Sequence, residues 1–202
     1  MTRRGPRGDI DRERILRAAD RLLHERGSIE GVALRAVAGE VGVATNALYT
    51  YFPSLRAIWH ELGDERLGTL LPRELLGIPC RHCAVLELMQ RANTMANIPG
   101  TLSLLRAQPI LGRHSFALSE TIMELTADAT VHPRDAHDLI VGWFYGNNVL
   151  TDEGWTSGTD AIRAEDDLTD FPRIASRPEP RTDVQLGAIL TGIGLPCTAD
   201  RE

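Results

Sequence analysis

The chain has 202 residues, 43% hydrophobic and 25% charged, enough apolar bulk for a globular core without a disulfide scaffold or structural metal. No run reaches the ~18 apolar residues of a membrane span, and no apolar stretch follows the basic N-terminus as a secretory signal requires, so a cytoplasmic protein with no membrane partner is expected. The net charge of −6 speaks against nucleic-acid binding by the whole chain, yet residues 1–60 carry ten Arg against seven acids and residues 61–202 twelve Arg against twenty-one acids. A basic end on an acidic body points to an anionic partner at that end. All 22 basic residues are Arg, so a charged contact to phosphate would use a guanidinium fork.

Residues 1–8 form a basic arm with Gly and Pro. Asp9 to Arg26 reads as the first helix, with Asp9 as N-cap, Asp11 and Glu13 in the first turn, and Ile15, Ala19, Leu22 and Leu23 on one face. Gly27 ends it. A second, short helix covers 34–41 with Leu34, Val37, Ala38 and Val41 inward; Gly42 supplies a tight turn, and 45–51 form a third helix. Pro53 opens a fourth at its first helical position. That helix runs to about Leu71 with Ile58, Leu62 and Leu70 as core, and stops at Pro72.

Beyond it the periodicity stays helical over 82–98, 100–108, 113–130, 134–152 and 183–194, while 153–182 reads as a long acidic loop with a helical turn. The composition favours helix over sheet. The expected class is all-α: an N-terminal three-helix domain over residues 1–53 and a larger helical domain over 54–202.

Three short helices with Gly-containing turns behind a basic arm describe a helix-turn-helix unit. Val43 and Leu48 anchor its third helix, leaving Thr45, Asn46, Ala47, Tyr49 and Thr50 to point outward. Those residue types suit a major groove. Asn bonds adenine at two atoms, Thr and Ala meet a thymine methyl, and Tyr hydroxyls and backbone N–H groups reach phosphates.

The stretch from residue 32 to 62 resembles the N-terminal signature of the tetracycline-repressor (TetR) family. Val37-Ala38, Gly42-Val43, Leu48-Tyr49, Tyr51-Phe52-Pro53-Ser54 and the apolar start of the fourth helix carry the likeness. The resemblance implies a homodimeric regulator, a repressor of operator DNA, with a small-molecule effector bound among the later helices and the dimer made by the last two long ones. The DNA-facing set is then Arg3, Arg4, Arg7, Arg35, Thr45, Asn46, Ala47, Tyr49, Thr50, Tyr51, Ser54 and Arg56. Leu55 departs from the family, which usually has Lys there against the DNA backbone; position 33, often Thr or Ser, is Ala33, and the cap before the third helix, often Ser, is Ala44.

Candidate effector residues combine apolar bulk with polar groups: Trp59, Met89, Asn93, His114, Phe116, Trp143 and Asn147. Gly142 and Gly146 permit close helix approach, as a dimer seam or a pocket wall needs. Cys80-Arg-His-Cys83 is half of a zinc site by spacing and an ordinary helix start otherwise; Cys197 and His82 complete it only if the fold brings them there. No Gly-rich phosphate loop, nucleophile elbow or His-Glu-x-x-His run occurs, so no catalytic residue, cofactor or resident metal is expected. The alternative is an all-α ligand-binding or catalytic protein whose DNA-reading surface has decayed, the reading that Ala33, Ala44 and Leu55 motivate.

Overall fold

The computed structural model describes residues 10–150, 169–175 and 181–199, which are helical with no strand among them. In chain order the helices are α1 (Arg12–Arg26), α2 (Leu34–Val41), α3 (Thr45–Leu48), α4 (Leu55–Gly68), α5 (Arg81–Ala96), α6 (Thr101–Ala107), α7 (Arg113–Leu125), α8 (Pro133–Leu150), α9 (Pro172–Ala175) and α10 (Thr182–Gly192), with a 3-10 stretch at Pro72–Gly77. The chain forms two compact units, Met1–Pro72 with Arg91–Leu118 and Arg73–Gln90 with Ser119–Glu202.

The expected helices are present, and their ends follow capping chemistry. α1 begins at Arg12 rather than near Asp9, because Asp11 takes the cap: its carboxylate accepts from the Arg14 N–H at 2.7 Å. α3 stops at Leu48 instead of running to Tyr51. The Leu48 carbonyl accepts from both the Tyr51 and Phe52 N–H groups at 2.9 Å, which closes the helix with a tight turn. Pro53 lies ahead of α4, not inside it; Ser54 is the cap, its hydroxyl accepting from the Ala57 N–H at 3.1 Å. α4 ends at Gly68, short of Leu71. Leu71, before Pro72, sits in the left-handed region at φ 47°, a conformation that cannot continue a right-handed helix. α7 also ends early, where the buried Thr126 hydroxyl donates to the Ile122 carbonyl at 2.8 Å.

The first unit is built around Ile15, Leu16, Ala18, Ala19 and Leu23 of α1, Val37, Ala38 and Val41 of α2, Leu48 and Phe52, Ile58, Trp59 and Leu62 of α4, and Leu104 of α6, all buried. Leu22 and Leu34 pack against this core half-buried. Gly27 and Gly42 close α1 and α2 in the left-handed region, at φ 70° and 82°. Nothing lies within 4 Å of a Cβ added at Gly42, so the backbone angle alone selects glycine there.

Arg66 is buried at the inner end of α4, donating to Asp20 of α1 and Thr101 of α6. The pair satisfies a charge that could not otherwise remain in the core. In the second unit α8 packs against α10, with Ala136, Ile140, Phe144, Leu186 and Leu190 buried.

α2 and α3 begin at Ala33 and Ala44, both extended and without a side-chain cap. Ala33→Ser is therefore expected to stabilise the protein by about 1 kcal/mol, and Gly42→Ala to destabilise it by about 1 kcal/mol. Urea unfolding followed by circular dichroism checks both.

Candidate nucleic-acid interface

The third helix is too short to be stable alone and takes its position from its neighbours. Leu48 drops into the core from its inner side and Phe52 from the turn that follows. Val43 packs half-buried at the entry. With those side chains fixed inward, Asn46, Tyr49 and Thr50 are left exposed, Tyr49 at 54%, while Thr45 and Ala47 are half-buried. Of the five residues expected to point outward, Asn46, Tyr49 and Thr50 thus face solvent, and Thr45 and Ala47 do so only in part.

Tyr51 has a different role from Tyr49. Its ring packs against the core and its hydroxyl donates to the Ile10 carbonyl at 2.6 Å, tying the chain ahead of α1 to the end of the turn. Arg12 reinforces the same corner: its guanidinium lies 4.2 Å from the Phe52 ring centroid, donates to the Tyr51 carbonyl and pairs with Glu61 of α4. Arg14 donates to the Val41 carbonyl at the end of α2, at 2.9 Å.

Arg35 and Ser54 are exposed. The Ser54 hydroxyl is engaged as the α4 cap, so what it offers an anion is the start of a 14-residue helix. Arg56 is exposed, with Nε donating to Gln108 Oε1 at 2.6 Å and its own carbonyl accepting from Gln108 Nε2 at 3.0 Å. Leu55 is half-buried against the core, so it adds apolar packing there and no charge. Arg3, Arg4 and Arg7 lie outside the described residues.

α4 is also tied to the segments that follow. His60 Nε2 accepts from the Leu111 N–H at 2.9 Å. Asp64 accepts from the His114 and Ser115 N–H groups at 3.1 and 2.8 Å, a carboxylate on the N-terminus of α7. Gly112 must lack a side chain there, since a Cβ would meet the Asp64 carboxylate at 2.3 Å.

Of the candidate effector residues in the first unit, Trp59 is buried in the core shared with α1–α3, Asn93 is half-buried, and His114 and Phe116 are exposed. In the second unit Met89 is buried, and Trp143 and Asn147 are half-buried one helical turn apart on α8. The Trp143 indole Nε1 is buried with no hydrogen-bond partner among the described residues.

The second unit also holds a group that spacing alone leaves incomplete. Cys197 Sγ lies 3.8 Å from Cys80 Sγ and 3.6 Å from Cys83 Sγ. Burial pushes the Cys80 thiol up, but hydrogen bonds from the Cys83 thiol and from the backbone N–H groups of Thr198 and Cys83 outweigh it and draw Cys80 down to about 5. Cys83, whose thiol hydrogen-bonds Cys80, is pushed up to about 12.

Residues 15–62 match the model of the bacterial regulatory proteins, tetR family. The fold is that of solved regulators from Streptomyces coelicolor. A possible TetR family transcriptional regulator from strain A3(2) aligns at 15% identity over 91% of this chain and 98% of its own, with a TM-score of 0.78. Apo ActR aligns at 16% identity over 95% and 96% with a TM-score of 0.71, and ActR in complex with (S)-DNPA at 16% over 93% and 100% with 0.72. No curated protein matches the chain. The match to the tetR family model thus lies in residues 15–62, within an all-helical fold like that of these solved proteins.

Two substitutions separate surface from scaffold. Tyr49→Ala is expected to change unfolding stability by less than about 0.5 kcal/mol, as exposed positions do. Tyr51→Phe removes a part-buried hydrogen bond and is expected to cost about 1 kcal/mol. Parallel denaturant titrations of the two variants check the contrast.

Proposed function

We propose that this chain is a homodimeric TetR-like transcription regulator, a repressor that leaves its operator when a small molecule binds. The observation that carries the reading is the exposed segment of Asn46, Tyr49 and Thr50, fixed from inside by Leu48 and Phe52 within a stretch matching the tetR family model. Asn46 and Thr50 read base edges, while Arg35, Tyr49, the α4 N-terminus at Ser54, and Arg56 take phosphate. Arg3, Arg4 and Arg7 add charge from the arm. Functionally, residues 1–53 read DNA and residues 54–202 sense and dimerise.

The dimer face lies on α8 and α10. Leu139, Gly142 and Gly146 fall on one side of α8 and are exposed, and no atom lies within 4 Å of a Cβ added at either glycine. On α10, Val184 and Ala188 are exposed one turn apart. Small and apolar side chains on two adjacent helices suit a self-complementary interface. Two reading heads then meet successive major grooves about 34 Å apart on a near-palindromic site.

The sensing role draws on a protein of like fold, ActR, which has been solved in complex with actinorhodin. Within this chain Trp143 offers the best-supported contact, because its buried Nε1–H has no acceptor among the described residues and a ligand oxygen would supply one. The effector acts only to the extent that it binds the DNA-free arrangement better than the DNA-bound one.

Selection of bound duplexes from a random pool, at two salt concentrations, tests the reading. A near-palindromic motif is expected, with binding that weakens as salt rises and at least about tenfold on Tyr49→Ala. No enrichment at low salt would favour the decayed-reader alternative. Leu139→Arg is expected to convert the dimer to a monomer by light scattering.

A further inference from the structure

The three cysteines of the chain are Cys80, Cys83 and Cys197, and the fold brings all three together. Their sulfur atoms lie within 4.8 Å of one another, although Cys197 follows Cys83 by 114 residues. Two pieces of local structure deliver them.

Cys80 precedes the first residue of α5, and its carbonyl accepts from the Ala84 N–H at 2.9 Å. Its sulfur accepts from the Cys83 N–H at 3.4 Å. Cys80 therefore caps the helix, and a Cys-x-x-Cys across that first turn puts both sulfurs on one side. Cys197 arrives on the segment after α10. Gly194 turns the chain at φ 83°, where a Cβ would meet Thr130 Cγ2 at 2.4 Å. The Ile193 carbonyl accepts from the Thr130 N–H at 2.8 Å, and the Leu195 N–H donates to the Leu190 carbonyl at 2.8 Å. His82, buried, then meets the Leu195 carbonyl through Nδ1 at 2.8 Å. Thr198 N–H reaches the Cys80 sulfur at 3.5 Å.

We propose that Cys80, Cys83 and Cys197 form a three-thiolate site for one thiophilic metal ion of the zinc class. The sulfur separations of 3.6 and 3.8 Å suit a tetrahedral ion with metal–sulfur bonds of about 2.3 Å, whose ligands stand about 3.8 Å apart. Thiolates select zinc and copper(I) over the hard cations. His82 is a positioning residue here: its Nδ1 is spent on Leu195, and it is not among the clustered ligand atoms. The fourth position is left to a small exogenous ligand such as water. Binding Zn²⁺ displaces the protons held by the thiols, which pass to buffer; no electron moves. The ion joins the start of α5 to the segment after α10 within the second unit, a role separate from DNA reading.

The test uses the full-length, reduced protein and zinc alone. One equivalent of Zn²⁺ is expected to protect all three thiols from alkylation and to raise the melting temperature. Co²⁺ is expected to give a thiolate-to-metal charge-transfer band that zinc abolishes. Cys197→Ser should weaken zinc binding at least about tenfold, by competition with a chromophoric chelator, while keeping its helical circular dichroism. Cys83→Ala gives the same reading if Cys197→Ser does not fold. Thiols that stay fully reactive with zinc present, or folded Cys197→Ser binding zinc as tightly as the parent, would overturn the proposal.

Discussion

Phe52 is buried where the third helix gives way to α4, and Arg12 lies over its ring with the guanidinium 4.2 Å from the centroid. The same guanidinium reaches the Tyr51 carbonyl and the Glu61 carboxylate, so one side chain from the start of α1 fixes the exit of the helix-turn-helix and the flank of α4. The energy of each contact is small, about 1 kcal/mol for an exposed cation–π pair and no more for an exposed ion pair. Their value is geometric. A four-residue helix has no persistence of its own, and Asn46, Tyr49 and Thr50 face outward together only while Leu48 and Phe52 stay in.

α4 carries that geometry onward. Its first turn is bonded to Gln108 through Arg56, its middle to Leu111 through His60, and its later turns to α7 through Asp64 and to α1 and α6 through Arg66. Buried Ile58, Trp59 and Leu62 face the core that also holds Leu48. Under the proposed function, α4 held at these points carries a displacement of residues 101–118 to Phe52 as a body. The charge layout agrees. Arg12, Arg17 and Arg21 are paired with Glu61, Glu13 and Glu40, whereas Arg35 and Arg56 are exposed and in no such pair among the described residues.

Much of this is legible in the residues. The bounds of α2, the glycine closures at Gly27 and Gly42, and the core at Ile15, Leu23, Val37, Leu48 and Ile58 follow from periodicity and turn chemistry. Helix ends are harder, because capping residues compete: Asp9 and Asp11 both qualify by type, and the bond to the Arg14 N–H decides for Asp11. Arg66 escapes a polarity pattern. Its position eight residues after Ile58 lies on the buried face, and a charge there is a signal only once Asp20 is known to stand opposite. Cys197 could not be joined to Cys80 and Cys83 from spacing, since the turn at Gly194 and the Thr130 contacts that bring it there involve residues far apart in the chain.

The surface proposed to meet DNA is the segment from Thr45 to Arg56, held by Phe52 and Arg12. Amide hydrogen exchange on the full-length protein, with and without saturating random-sequence duplex at low salt, tests it most directly. Protection is expected to concentrate at residues 44–56 and around Arg35, with the second unit unchanged. Protection confined to other segments, or none while the duplex is bound, would contradict it.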